Sequence, residues 1–370
     1  MAKKEAPPTS VSTLRDLVNQ RMKRQVLALG SEVLASDISG HIPTGWTLLD
    51  ANLGGGIPLG RTIEIFGEES VGKSSLVWQA ISNCQRMGGT AVLFEPEVSF
   101  PKDLAGKMGV NVDKLLILNP GTFMEEVFSL FLNLSELIRE NVKLVDSPIL
   151  LVWDTLASTP SRAEHEAFRA GEDMSRTANP YRAQVIKSGL RALSVTLAKT
   201  KTSLVIVNHV FADIQQRGGQ RGPNTATPGG RGVKYQASAR INLWAGAYIR
   251  PKGAPDGAEP EGVMVTAKVE KNKLGVPKRK VKSPFYYGRG YDDEMAVFNY
   301  LSEVGIIRQA SSWYYVPNPG GEEIRTYATG YKEKLAGAPG LSDHLRALAV
   351  ANYNQQVVVG KEVEDVDDQG

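Results

Sequence analysis

The chain has 370 residues, 43 Lys plus Arg against 40 Asp plus Glu, and a formal charge of +3. With 42% hydrophobic and 22% charged residues it sits at the globular average, which argues against a disordered or fibrous chain, and its length implies two or three domains. A single cysteine, Cys84, excludes an internal disulfide or cysteine zinc cluster, the four histidines are scattered, and no apolar run approaches the roughly 18 residues of a membrane span.

The N-terminal MAKKEAPPTS is charged but has no apolar stretch behind it, so it does not read as a secretory signal, and the expectation is a soluble, cytoplasmic protein. Over residues 11–27, Val11, Leu14, Leu17, Val18 and Met22 recur at helical spacing, which predicts a helix. A Gly- and Ser-containing stretch through Gly40 sets it apart from the rest of the chain, so its stripe needs cover from the core or from another subunit. Thr62–Phe66 reads as a strand, followed by a Gly-punctuated loop and a helix over 74–87 closed by Gly88 and Gly89. Thr90–Phe94 is the next strand, 124–140 a helix, and PILLVW (148–153) a strand buried on both faces. Residues 183–199 are helical and SLVIV (203–207) is another buried strand. This alternation implies an α/β fold with a mostly parallel sheet. Strands over 239–248, 263–270 and 282–287 come next without helices between them, which suggests antiparallel additions at one edge. A small α/β piece from about Asp292 carries helices over 295–304 and 342–351.

Two long segments, 159–180 and 211–232, read as irregular, and each lies just past the C-terminal end of a buried strand, where open α/β sheets bind ligands. Charge is also uneven. KVEKNKLGVPKRKVK (268–282) has seven cations and one anion, and KEVEDVDDQG (361–370) has five carboxylates and one lysine. A basic stripe with an acidic tail points to an anionic polymer as partner, the tail competing for the same surface. A solvated hairpin and a solubilising tail explain the same charges equally well.

Gly67-Glu68-Glu69-Ser70-Val71-Gly72-Lys73-Ser74 matches the phosphate-binding pattern G-x-x-x-x-G-K-[ST] between a strand and a helix. The glycines let backbone N–H groups turn toward phosphate, Lys73 reaches the β- and γ-phosphates, and Ser74 ligates Mg²⁺. Asp154 ends the apolar run about 80 residues later and fits the acidic residue that helps hold Mg²⁺. Glu97 and Glu95, in LFEPE, are alternative candidates for activating the attacking water, and strand alternation does not choose between them. Cys84, Trp78 and Trp153 read as packing residues.

From about Ile42 to Asp292 the chain resembles the RecA recombinases. The carrying segments are PTGWTLLDANLGGGIPLGRTIEIFGEESVGKSS, LFEPEVSF, ILLVWDT, LVIVNH, PGGRGVKYQASARINL and VEKNKLGVPKRK. The resemblance implies a RecA-like ATPase core (39–291) behind an N-terminal oligomerisation helix and linker (1–38) and before a C-terminal domain with the acidic tail (292–370). It implies ATP and Mg²⁺ as cofactors, single-stranded DNA and homologous duplex as partners, and a homo-oligomeric helical filament. It assigns catalysis to Glu97, settling the choice against Glu95, and adds Ser75, Leu104 and Pro277 to the nucleotide contacts. The loops 159–180 and 211–232 correspond to DNA-binding loops, with Arg191, Arg217, Arg221, Gly229, Gly230 and Arg231 as DNA-contacting positions. Lys271 and Lys273 fall where the family supplies cations to a neighbour's γ-phosphate, and Tyr235 where an aromatic packs across that interface. Three departures mark a divergent, phage-type member. His209 stands where bacterial members sense the γ-phosphate with glutamine, Leu104 where an aromatic stacks on adenine, and Pro101 where an acidic residue stands. A non-catalytic accessory protein and a hexameric helicase on the same core are the alternative readings.

Overall fold

The computed structural model describes residues 10–29, 38–141, 146–171, 178–212, 225–226, 231–251, 253, 255 and 257–358. The chain forms two compact units, Met1–Ser39 and Gly40–Gly370. The first holds helix α1 (Val11–Met22), whose N-cap Ser10 accepts from Thr13 N at 3.2 Å. It stops short of the expected residue 27. Lys23 adopts a left-handed conformation (φ 51°), and the Asn19 side chain then captures the backbone N–H groups of Val26 and Leu27.

The second unit is built on a nine-stranded sheet. Its strands are β1 (Thr62–Gly67), β2 (Thr90–Phe94), β3 (Leu115–Ile117), β4 (Ile149–Trp153), β5 (Thr202–His209), β6 (Ala239–Ile249), β7 (Gly262–Asn272), β8 (Lys280–Tyr286) and β9 (Gly290–Tyr291), in the order β9-β8-β7-β6-β1-β5-β4-β2-β3. From β6 to β3 the pairing is parallel, and β7, β8 and β9 extend that edge antiparallel. The strand expected at 239–248 is therefore the last parallel strand and not the first antiparallel one, because its partner β1 runs in the same direction.

The same unit holds helices α2 (Thr47–Leu53), α3 (Lys73–Arg86), α4 (Met124–Glu140), α5 (Arg162–Ala170), α6 (Ala178–Thr200), α7 (Arg231–Gln236), α8 (Asp293–Glu303) and α9 (Leu341–Val358), with two further helices at Lys102–Lys107 and Tyr331–Gly337. Alternation along the central strands divides the apolar side chains between two faces. Leu150, Val152, Val205 and Val207 join one core with residues of α2, α3, α8 and α9. Ile149, Leu151, Trp153, Leu204 and Ile206 join the other with α4 and α6, where Phe94, Phe128 and Phe131 ring Trp153 within 5.9 Å. Among the described residues, no helix is long and apolar enough to cross a membrane.

The segment 159–180 is more regular than expected. Ser161 and Glu164 cap each other's backbone N–H and start α5, and α6 begins at Ala178, so helix covers most of the described part. In 211–232 two short strands, Phe211–Ala212 and Thr225–Ala226, pair antiparallel, and α7 begins at Arg231.

Candidate nucleotide site

Strand β1 delivers its last residue, Gly67, against Leu243 of β6 so closely that a Cβ there would lie 2.0 Å from the Leu243 carbonyl oxygen. The loop beyond turns through left-handed Ser70 (φ 60°) and Gly72 (φ 79°) into α3. Gly72 caps α3 without a side-chain bond, which leaves the first helical N–H groups available to an anion. Lys73 is buried, and its ammonium donates to the carbonyls of Gly67 (3.1 Å) and Glu68. Burial lowers the Lys73 pKa, while Asp154, Glu69, Glu68 and Glu97 pull the other way.

Asp154 comes directly after β4, with its backbone N–H tied to Phe94 O at 2.9 Å. Burial lifts its carboxyl to about 6 against the Ser74 hydroxyl bond, which favours the charged form; the nearby Glu97 and Glu95 add to the rise. The next peptide, Asp154–Thr155, is cis. The two candidate glutamates have different surroundings. Glu95 folds back on its own turn and accepts from Glu97 N (3.0 Å), Ser99 N (2.9 Å) and Ser99 Oγ (3.0 Å). Glu97 is exposed, and its Oε1 accepts from Ser158 Oγ at 2.6 Å and Thr155 Oγ1 at 3.3 Å. His209, at the end of β5 and opposite Gly67, has a buried Nδ1 with no partner. Burial and then Lys73 lower its pKa, while Glu97 and Glu69 pull the other way.

These groups line one cleft of about 590 Å³. Of the residues expected there, Glu69, Ser70, Gly72, Lys73, Ser74, Ser75, Glu97, Leu104, Asp154 and His209 reach it. Gly67, Glu68 and Val71 shape the loop behind it, and Pro277 lies exposed on the β7–β8 turn, outside the cleft of its own chain. Trp78 packs in the core as expected and also lines the cleft, edge-on to Phe100 at 6.3 Å, and Tyr287 joins it from beyond β8. Apolar Trp78, Phe100, Leu104 and Met108 thus share the lining with the polar groups of the loop and strand ends. Phe100 is within sight in the sequence, a few residues past the strand-end carboxylates. Tyr287 carries no local signal.

Lys271 lies elsewhere. Its register through Arg240 aligns it with Glu64, three residues before Gly67, at the opposite end of the strands. Its ammonium donates to Lys234 O (2.6 Å) and Tyr235 O (3.0 Å), and Lys273 reaches Tyr235 O at 3.4 Å, so both cations sit on the C-terminal carbonyls of α7. Tyr235 is 64% exposed. Between the two ends, fully buried Glu64 accepts from Asn208 Nδ2 at 3.0 Å and from Arg240 Nε, and the Arg240 guanidinium covers Phe66. Sequence reasoning missed this group. Arg191 is exposed on α6. Arg217, Arg221, Gly229, Gly230 and the Arg231 side chain lie outside the described residues.

The donor set suits a hard cation with few protein ligands. Ser74 hydroxyl and Asp154 carboxylate are hydrogen-bonded oxygens beside the phosphate loop, as Mg²⁺ prefers. Among the described residues, no group of three or more His, Cys, Asp or Glu could hold a metal.

A family model, the RecA N-terminal domain, matches residues 11–292. The chain is 33% identical over 326 residues to Protein RecA of Thermus thermophilus, covering 87% of this chain and 88% of that protein. It is 31% identical over 330 residues to Protein RecA of Chloroflexus aurantiacus (88% and 87% covered), and 32% over 336 residues to that of Xylella fastidiosa (90% and 89%).

Proposed function

The chain belongs to the RecA family, and on that premise we propose that it is an ATP-dependent recombinase. In this reading it coats single-stranded DNA as a filament of its own copies, pairs it with homologous duplex and exchanges strands in recombination and repair. The observation that carries the reading is the cleft itself. Phosphate-loop Lys73 and Ser74, Asp154, Glu97 and His209 converge there from the ends of four adjacent strands.

The loop N–H groups and Lys73 hold the triphosphate. Ser74 and Asp154 would hold Mg²⁺, which would supply charge neutralisation to the triphosphate. Glu97, steadied through Oε1 by Ser158 and Thr155, takes the proton of the attacking water. His209 donates a hydrogen bond toward the γ-phosphate. Lys271 and Lys273 serve a neighbour's cleft. Their position at the far end of the strands supports this, since neither is placed to serve its own. The working division is an arm (1–38), a motor (39–291) with DNA loops in 159–180 and 211–232, and a C-terminal part (292–370). Arg191, Arg217, Arg221, Gly229, Gly230 and Arg231 hold the DNA backbone in this reading. An accessory role without catalysis is disfavoured by a Glu97 that is exposed and oriented. A helicase ring is disfavoured by the paired lysines on the edge hairpin.

The test is ATP turnover with and without long single strands, alongside electron microscopy for filaments. Stimulated turnover, filaments, and loss of turnover in Lys73→Ala are expected. No turnover and no assembly with ATP and oligonucleotide together would overturn the reading.

A further inference from the structure

The phosphate loop is gripped from outside by a residue that its motif does not include. Tyr291, the last residue of β9, is buried, and its hydroxyl donates to the Val71 carbonyl at 2.7 Å across 220 residues of chain. Its ring stacks on Trp46 (centroids 5.2 Å apart, 22° between planes) and tilts against Phe285 at 5.0 Å. The Phe285 ring in turn fills the space beside Gly72, where a Cβ would lie 2.7 Å from it. One hydroxyl and one ring therefore clamp the peptide that joins Val71 to Gly72.

The direction of that clamp matters. A trans peptide is planar, and its C=O and N–H point opposite ways. Tying the Val71 oxygen outward to the hairpin therefore aims the Gly72 N–H inward, to where the loop cradles an anion. Burial raises the Tyr291 pKa, so the phenol keeps the proton it donates. The geometry points to Tyr291, backed by Phe285, as a positioning residue that pre-orients the phosphate loop for a nucleoside triphosphate. This rests on the nucleotide reading above and adds a residue to it. A correctly aimed N–H contacts phosphate before and during the reaction alike, so its loss weakens binding more than it slows chemistry.

Tyr291→Phe removes the hydroxyl and keeps the stacked ring. The expected result is roughly three- to tenfold weaker binding of a fluorescent ADP analogue and a matching rise in KM for ATP, with kcat moved less than KM and a fall in Tm of only a few degrees. Phe285→Leu, which opens the space beside Gly72, should move KM in the same direction and serves if the first variant is poorly folded. Unchanged affinity, or a fall in Tm with KM unmoved, overturns the proposal. Lys73→Ala is measured in parallel. If it binds the analogue normally, the nucleotide reading itself fails. If it loses binding while Tyr291→Phe does not, only the positioning role fails.

Discussion

Ser158 Oγ donates to Glu97 Oε1 at 2.6 Å, so the turn after β4 holds the carboxylate that lies beyond β2. Two neighbouring strand ends thus share one acid, and Thr155 adds a second hydroxyl from the same turn. Glu95 is spent on its own loop. The difference in partners separates two side chains that the sequence leaves equivalent.

Glu97→Gln should lower ATP turnover by ~100-fold or more while leaving nucleotide affinity within about threefold, since a general base acts on the chemical step. Glu95→Gln should instead loosen the 95–99 turn, costing ~1–2 kcal/mol of stability with a smaller effect on rate. Steady-state kinetics and thermal melts of the two variants check the assignment. A faster Glu97 variant than Glu95 variant would reverse it.

Gly67→Ala should be severely destabilising, by more than ~4 kcal/mol, because its Cβ would be driven into the Leu243 carbonyl of a paired strand. Gly88→Ala meets nothing within 4 Å and bears only the strain of its φ of 75°, which costs ~1 kcal/mol. Denaturant unfolding of the pair is the measurement, and equal losses would contradict the close approach.

Burial, then Lys273, Arg240 and Lys234, lowers Lys271 to about 8, with Glu64 opposing. A lysine depressed on folding binds fewer protons in the folded chain between about 8 and its ordinary 10.5, so its charge disfavours the fold below that window. Lys271→Met should therefore raise Tm at pH 7, and the gain should disappear above pH 10.5. A neighbour's γ-phosphate beside the ammonium would raise that pKa again, so turnover in an assembly should decline only at a pH above 8, and Lys271→Arg should carry the decline higher still. A pH profile that ignores the arginine substitution would remove Lys271 from the reaction.

Glu64→Ala leaves the Arg240 guanidinium and Asn208 without their shared acceptor, and should cost ~3–5 kcal/mol. Replacing Glu64 with Leu and Arg240 with Met together should recover part of that loss, as apolar pairs often substitute for buried charges. Chemical denaturation of the single and double variants decides. A double variant no more stable than Glu64→Ala would contradict it.

The phosphate loop, its flanking strand and helix, Asp154 and the parallel sheet are legible in the sequence, because each is written in a local run of residues. The helix at 162–170 is legible too, in Ser161-x-x-Glu164, but is hidden inside a stretch whose polarity suggests a loop. Tyr291 on Val71 and Glu64 on Arg240 escape such reading, since each joins positions more than 170 residues apart with no spacing rule between them. Trp78 fits a packing pattern on α3, and only the surrounding chain shows that one edge of it faces open space.

Gly67 and His209 lie side by side, and Asp154 and Thr155 follow the adjoining strand within two rows of them. The segments that depart from Thr155 and from His209 therefore start beside the strand end that opens into the phosphate loop. If the cleft holds a triphosphate, a shift at its far end acts beside both departures at once.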